Sequence, residues 1–328
     1  MLRRLVVLAF LLAPALGRAE SPPSVWQRVT DPQAARRFEL HRSVREKLAR
    51  ETEVSAFFGK PFAYENARVS LEDAGIESST DPTLLFDYGE VLEALDEHEK
   101  AIAVLQKAMR LSPDHPASDD ASLTLAFAFA KQDRSEEELE CYRAYLRSSR
   151  NVRGLSTAML NMAEAEMRLG RLDDAVVGYR ESYRLATEAL AVSSSQETAA
   201  LACYGLAVAL DRQGDTPGSR TEMARALSID PSMVLVLSSP NVFFVPAYER
   251  SYYVGMGFEA RARDTDAPLG PRHEHLRRAT AAYKAYVDKA RPDDRWVHRA
   301  REHLAELTAW GKTLPAAKAT DTVTPIAF

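Results

Sequence analysis

GEVLEALDEHEKAIAVLQKAMRLSP, residues 89–113, reads as the end of one helix, a tight turn at Leu95-Asp96-Glu97, and an apolar second helix running to Ala108 and stopped near Pro113. The layout returns twice. Leu169-Gly170-Arg171-Leu172-Asp173-Asp174-Ala175 leads into Tyr179, and Arg212-Gln213-Gly214-Asp215 leads into Ala226 and then Asp230-Pro231. A helix–turn–helix unit of this length cannot bury its apolar face alone. Copies stacked on one another can, so the recurrence predicts an all-α array.

The register can be written out through four units. Gly89, Ala101, Ala108 and Pro113 mark the first; Ala126, Glu138, Tyr142 and Tyr145 the second; Ala163, Gly170, Ala175 and Tyr179 the third; Ala207, Gly214, Ala226 and Pro231 the fourth. The leading small residue recurs at spacings of 37, 37 and 44 residues. This pattern resembles the tetratricopeptide-repeat family, whose unit places small residues at positions 8, 20 and 27 and a proline near 32. The resemblance implies a right-handed superhelical solenoid of antiparallel helix pairs with helical caps. Small residues at 8 and 20 let the two helices approach, and 27 packs on the next unit. Glu138 and Ser219 depart from the small residue usual at 20, and the longer third step implies a longer helix or loop around Ala186 to Gln196.

The chain has 328 residues, 27% of them charged, and a net charge of −5. Without a concentrated cationic run, nucleic acid is not an expected partner. Arg3 and Arg4 precede an apolar stretch, Leu5 to Leu16, followed by Gly17-Arg18-Ala19. That is the layout of a secretory signal peptide, with cleavage expected after Ala19, and the stretch is too short to span a bilayer. No cysteine sits at the junction, so no lipid anchor is expected. The mature chain is therefore expected to be periplasmic or secreted, without an integral membrane segment, as in exported bacterial proteins of this repeat type. Cys141 and Cys203 fall in non-neighbouring units, which argues against a disulfide.

The expected organisation is a signal peptide (1–19), an N-terminal helical cap (20–81), four repeats (82–233), a C-terminal region (234–310) and a disordered tail (311–328). The cap begins with a charged helix from Pro32 to Phe57 and a second from Pro61 to Gly75. After the repeats, Met233 to Val245 reads as extended. Helices from Tyr248 to Ala262 and His273 to Ala290 form a divergent fifth repeat around a loop, Asp264 to Pro271, and Pro292 to Trp310 caps the array.

No phosphate loop, nucleophile elbow or zinc-protease motif is present, so no catalytic residue and no cofactor is assigned. The best metal candidate is His273-Glu274-His275 with His298 and His303 downstream, but residues i and i+2 of a helix point apart. In the resemblance, first-helix positions 2, 5, 9 and 12 line the concave face. They hold Phe86, Glu90 and Glu93; Leu123, Phe127 and Ala130; Leu160, Glu164 and Met167; and Leu201, Tyr204, Val208 and Asp211. Some relatives clamp a peptide carboxylate with Lys and Asn at positions 5 and 9. Here Phe86 and Glu90, then Leu123 and Phe127, stand there, so that clamp is absent.

The expected function is a non-enzymatic scaffold in the envelope or outside the cell, gripping an apolar or cationic peptide in this groove. The alternatives are a metal-binding or enzymatic module around His273 to His303, and a glycan or cell-wall binder using the aromatic strip Phe243 to Tyr253. The apolar strip Val234 to Val245 could also fill the groove from within the chain.

Overall fold

The computed structural model describes residues 24–49, 62–149, 152–188, 193–238 and 243–316. The expected signal peptide, the expected helix continuation at 50–57 and the part of the expected tail beyond 316 lie outside them. Among the described residues every regular element is helical, and the chain divides into two compact units, 1–149 and 150–328. The division falls inside the four-repeat stretch, between the second and third helix pairs.

In the first unit, α1 (Val25–Thr30) and α2 (Pro32–Ala49) precede α3 (Phe62–Asp73), α4 (Pro82–Ala94), α5 (His98–Leu111), α6 (Ser118–Lys131) and α7 (Ser135–Ser148). Each helix from α2 onward packs on the next, and α2, α4 and α6 also touch in series. This is the contact pattern of stacked helix pairs. Starts follow local chemistry. Asp31 accepts the Ala34 N–H at 2.8 Å and Asp81 accepts the Leu84 N–H at 3.2 Å, each followed by a proline whose missing N–H costs nothing in a first turn.

The second unit runs α8 (Val152–Arg168), α9 (Leu172–Glu188), α10 (Ser193–Gln213), α11 (Thr216–Ile229), α12 (Val234–Ser238), α13 (Glu249–Arg263), α14 (Leu269–Lys289) and α15 (Val297–Gly311). Here α8, α10 and α13 touch in series, each paired with the helix that follows or flanks it, and α15 closes on α14.

The turn within each repeat pair is built the same way four times. Asp96, Asp133, Gly170 and Gly214 all adopt left-handed backbone, with φ of 61°, 58°, 80° and 86°. The following N–H then reaches five residues back: Glu97 to Leu92, Arg134 to Phe129, Arg171 to Glu166 and Asp215 to Leu210, at 2.9–3.0 Å. That bond satisfies a carbonyl the helix end would leave orphaned. Aspartate tolerates this conformation at two of the positions, so glycine is not required at each. The register residues Gly89, Ala126, Ala163 and Ala207 are buried, as are Ala101, Glu138, Ala175 and Ser219. At Gly89 a Cβ would overlap the Leu105 side chain of α5, which is why the first pair can pack so closely.

Two local expectations change. The strip expected to be extended from Met233 opens with one helical turn, α12, because the Asp230 carboxylate accepts the N–H groups of Val234 and Leu235 at 3.0 and 3.1 Å. Residues 239–242 of that strip lie outside the described set. Helix α14 starts at Leu269 rather than His273, since Pro271 sits in its first turn, where proline is tolerated.

Candidate functional site

In the first unit, the series α2, α4 and α6 carries a charged face. His41 Nδ1 donates to Asp87 Oδ2 at 2.5 Å, and Arg45 donates to Glu90 Oε2 at 2.6 Å while lying 3.6 Å from Asp87 Oδ1. Asp87 is buried, and burial pushes its acidity down, opposed by His41 and Arg45. On α6, Asp120, Leu123, Phe127 and Lys131 are spaced three or four apart and form one stripe. Two electrostatic couplings place that stripe beside α4. Asp120 is raised by burial and then by Glu90, and Glu93 is pushed up to about 7 by burial and Asp96, with Lys131 opposing. Leu123 and Phe127 are half-buried between those charged ends, and Glu90 and Glu93 are half-buried across from them. Phe86 and Ala130, by contrast, are buried, with the Phe86 ring against His115 at 4.8 Å.

The corresponding residues of the second unit are core. Leu160, Glu164, Met167, Leu201, Tyr204, Val208 and Asp211 are each at most 7% exposed. The covering comes from the unit's own chain. Phe243 meets Tyr179 and Tyr253 edge-on at 6.4 and 5.5 Å, and Phe244 meets Tyr253 at 5.2 Å. Glu164 Oε2 accepts the Tyr253 hydroxyl at 2.8 Å and the Tyr179 hydroxyl. Full burial raises Glu164 to about 7. Met233, Leu235 and Val236 join the same core.

A buried polar network, which the sequence reading did not anticipate, ties this unit together. His303 lies between Asp211 and Glu259, with Nε2 2.9 Å from Asp211 Oδ2 and Nδ1 2.9 Å from Glu259 Oε2. Both ring nitrogens face carboxylates, so the doubly protonated imidazolium fits. Arg299 and the Tyr252 hydroxyl also donate to Asp211, each at 2.6 Å. Tyr283 stacks on the imidazole at 4.7 Å and donates to Glu259 at 3.1 Å. Next to it, Arg212 pairs with Glu249 at 2.7 Å, and its guanidinium lies 4.9 Å from the rings of both Tyr252 and Trp296. The closely spaced tyrosines 252, 253, 283 and 286 were the available signal. All four are fully buried.

The histidines of the metal candidate do not converge. His273 Nε2 donates to the Pro315 carbonyl at 2.8 Å, His275 stacks on Phe258 at 5.7 Å, and His303 is held as described. Among the described residues no group of His, Cys, Asp and Glu is arranged to hold a metal ion. Cys141 and Cys203 are unbridged thiols, each pushed up to about 12 by burial. Among the described residues no helix is long and apolar enough to cross a membrane.

The sequence model of the tetratricopeptide repeat matches residues 82–115, the pair α4–α5 and the turns that bound it. A comparison with curated proteins finds no match. Among solved structures, the chain is similar to the P58(IPK) TPR domain at 17% identity and a TM-score of 0.37, over 89% of this chain and 71% of that one. The match to the tetratricopeptide repeat is thus confined to residues 82–115 of the first unit, one of the stacked helix pairs of this all-helical chain.

Proposed function

We propose that the protein is a non-catalytic, exported scaffold, periplasmic or secreted, that binds a partner protein through the inner face of its first unit. The observation that carries this is the contrast between the two faces. Leu123 and Phe127 stay partly accessible beside Glu90 and Glu93, whereas Leu160, Glu164, Met167, Tyr204 and Val208 are sealed by their own chain. The ligand that fits is a peptide segment with a basic side chain next to an apolar one. A cation brought to Glu93 relieves the cost of its burial, and Phe127 offers a face for an apolar group or for guanidinium stacking.

Selection from a random peptide library displayed on phage tests this. Enrichment of Arg or Lys beside an apolar residue is expected, with binding at pH 8 weakened about tenfold in Glu93→Gln and reduced in Phe127→Ala. Enrichment of acidic peptides, or binding indifferent to both variants, would refute it.

A pH dependence follows. Glu93 has its acidity suppressed to about 7, so below that pH it is neutral and offers a cation little. Affinity for a selected basic peptide is expected to rise about tenfold between pH 6 and 8. Isothermal titration at the two pH values measures it, and Glu93→Gln should flatten the change.

A further inference from the structure

The inner face of the first unit already holds a cation of its own. Arg37, His41 and Arg45 follow one another at i, i+4 and i+8 on one side of α2, and each meets an acid at the start of α4 or along it. Arg37 pairs with Asp81 at 3.0 Å, His41 with Asp87 at 2.5 Å and Arg45 with Glu90 at 2.6 Å. Arg45 differs from the other two in what surrounds it. Its guanidinium also lies 3.6 Å from Asp87 Oδ1. Burial works against the Arg45 charge, yet Glu90, Asp87 and Asp120 outweigh it and hold the group above its ordinary value. One guanidinium from α2 thus serves carboxylates of both α4 and α6.

The equivalent place in the second unit is closed differently. Glu164, at the register position of Glu90, is 1% exposed and accepts the Tyr179 and Tyr253 hydroxyls, so its own chain seals it. Glu90 is covered instead by an arginine whose side chain is 27% exposed. That guanidinium can turn outward into water while its helix stays in place. Helix α2 keeps its seat through Val44 and Leu48, which are buried in the core of the first unit, and through the Arg37–Asp81 and His41–Asp87 pairs.

We propose that Arg45 is a resident pseudo-ligand of this face, displaced from Glu90 by an arginine of the partner segment whose apolar neighbour then lies on Leu123 and Phe127. The inference rests on the reading of this face as a partner site. It adds a second basic position to the partner, at Glu90 as well as at Glu93 one helical turn on. The incoming guanidinium offers the same planar fork that Arg45 withdraws, so the two compete for one set of charge-assisted hydrogen bonds. Arg45 therefore weakens the partner's binding and screens out segments that bring no cation to Glu90.

The test uses the full chain at pH 8 and a fluorescein-labelled peptide of alternating arginine and leucine, read by anisotropy. Arg45→Gln removes the resident cation and is expected to tighten binding about tenfold. Adding Glu90→Gln should cancel that gain, because the two residues form one coupled pair. A peptide of alternating glutamate and leucine should gain nothing from Arg45→Gln. An Arg45 that only braces the fold would give the opposite sign, since losing its ion pair loosens the face. In the wild type, the Arg45 guanidinium resonances, assigned with Arg45→Lys, should shift and exchange faster with water when the basic peptide is added. If Glu93→Gln weakens binding while Arg45→Gln binds no tighter than wild type, the face is a partner site and the resident-cation inference is wrong. Unmoved Arg45 resonances at saturating peptide would overturn it as well, as would an equal gain for the acidic peptide. If neither wild type nor Arg45→Gln binds the basic peptide, the reading of the face fails and this inference falls with it.

Discussion

Arg212→Ala is expected to destabilise the second unit by about 3–5 kcal/mol, because it strands a buried carboxylate. Arg212 and Glu249 have side chains 1% and 5% exposed, and they meet at 2.7 Å. Removing the arginine leaves the buried Glu249 carboxylate without its counter-ion, and it also removes the guanidinium that lies against Tyr252 and Trp296. Arg212→Lys keeps a charge but loses the planar fork and both ring contacts, so it should recover only part of the loss. The pair Arg212→Met with Glu249→Leu should recover most of it, since a buried ion pair replaced by apolar groups of similar volume is often near neutral. Tyr286 donates to Glu249 but also to Asp294 at 3.0 Å, so its hydroxyl keeps a partner in the double variant. Urea denaturation followed by tryptophan fluorescence reads this unit, because Trp296 and Trp310 lie in it while Trp26 is 76% exposed in the other. A double variant no more stable than Arg212→Ala would show that packing, not the stranded charge, sets the loss.

The second large effect is a loss of stability at alkaline pH that depends on His303. Two carboxylates outweigh the cost of burial and raise this histidine from 6.5 to about 9. The sign follows from linkage. A group whose pKa is raised by folding contributes fully below its unfolded value, and the contribution fades as pH climbs to the folded value. Unfolding free energy of the second unit should therefore fall by about 3 kcal/mol between pH 6.5 and 9. Asp211 and Glu259 are shifted the other way by the same contacts, so their share is lost as pH falls below the ordinary carboxylate range. Denaturation midpoints across pH 6 to 10 measure the alkaline limb. His303→Gln should be less stable at pH 6.5 and should keep only the smaller fall, about 1 kcal/mol near neutral pH, that comes from buried Glu164. A wild type that falls no further would mean that the imidazole is buried neutral.

What the sequence made legible is what repeats locally. Four turns at Asp96, Asp133, Gly170 and Gly214 sit at spacings of 37, 37 and 44 residues, and these are the spacings of the small residues that mark the register. Helix starts at Asp81-Pro82 and Asp215 could be read because capping is a matter of adjacent residues. The register also indicated which face each first helix turns inward. It could not indicate what lies on that face. Glu164 occupies the place along its helix that Glu90 and Phe127 occupy along theirs, yet it is core because Tyr253 returns over it from far along the chain. Asp211 and His303 are 92 residues apart, and no periodicity connects them. The division at 149–150 is likewise a property of long-range packing.

One inner face, in the first unit, is open, and the other, in the second, is filled by its own chain. Hydrogen–deuterium exchange of the full chain, with and without a library-selected basic peptide, tests this contrast most directly. New protection is expected in α4 and α6, around Glu90 to Glu93 and Leu123 to Phe127, and none in α8 and α10. Protection around Leu160 to Met167 or Tyr204 to Val208, with none in the first unit, would contradict it.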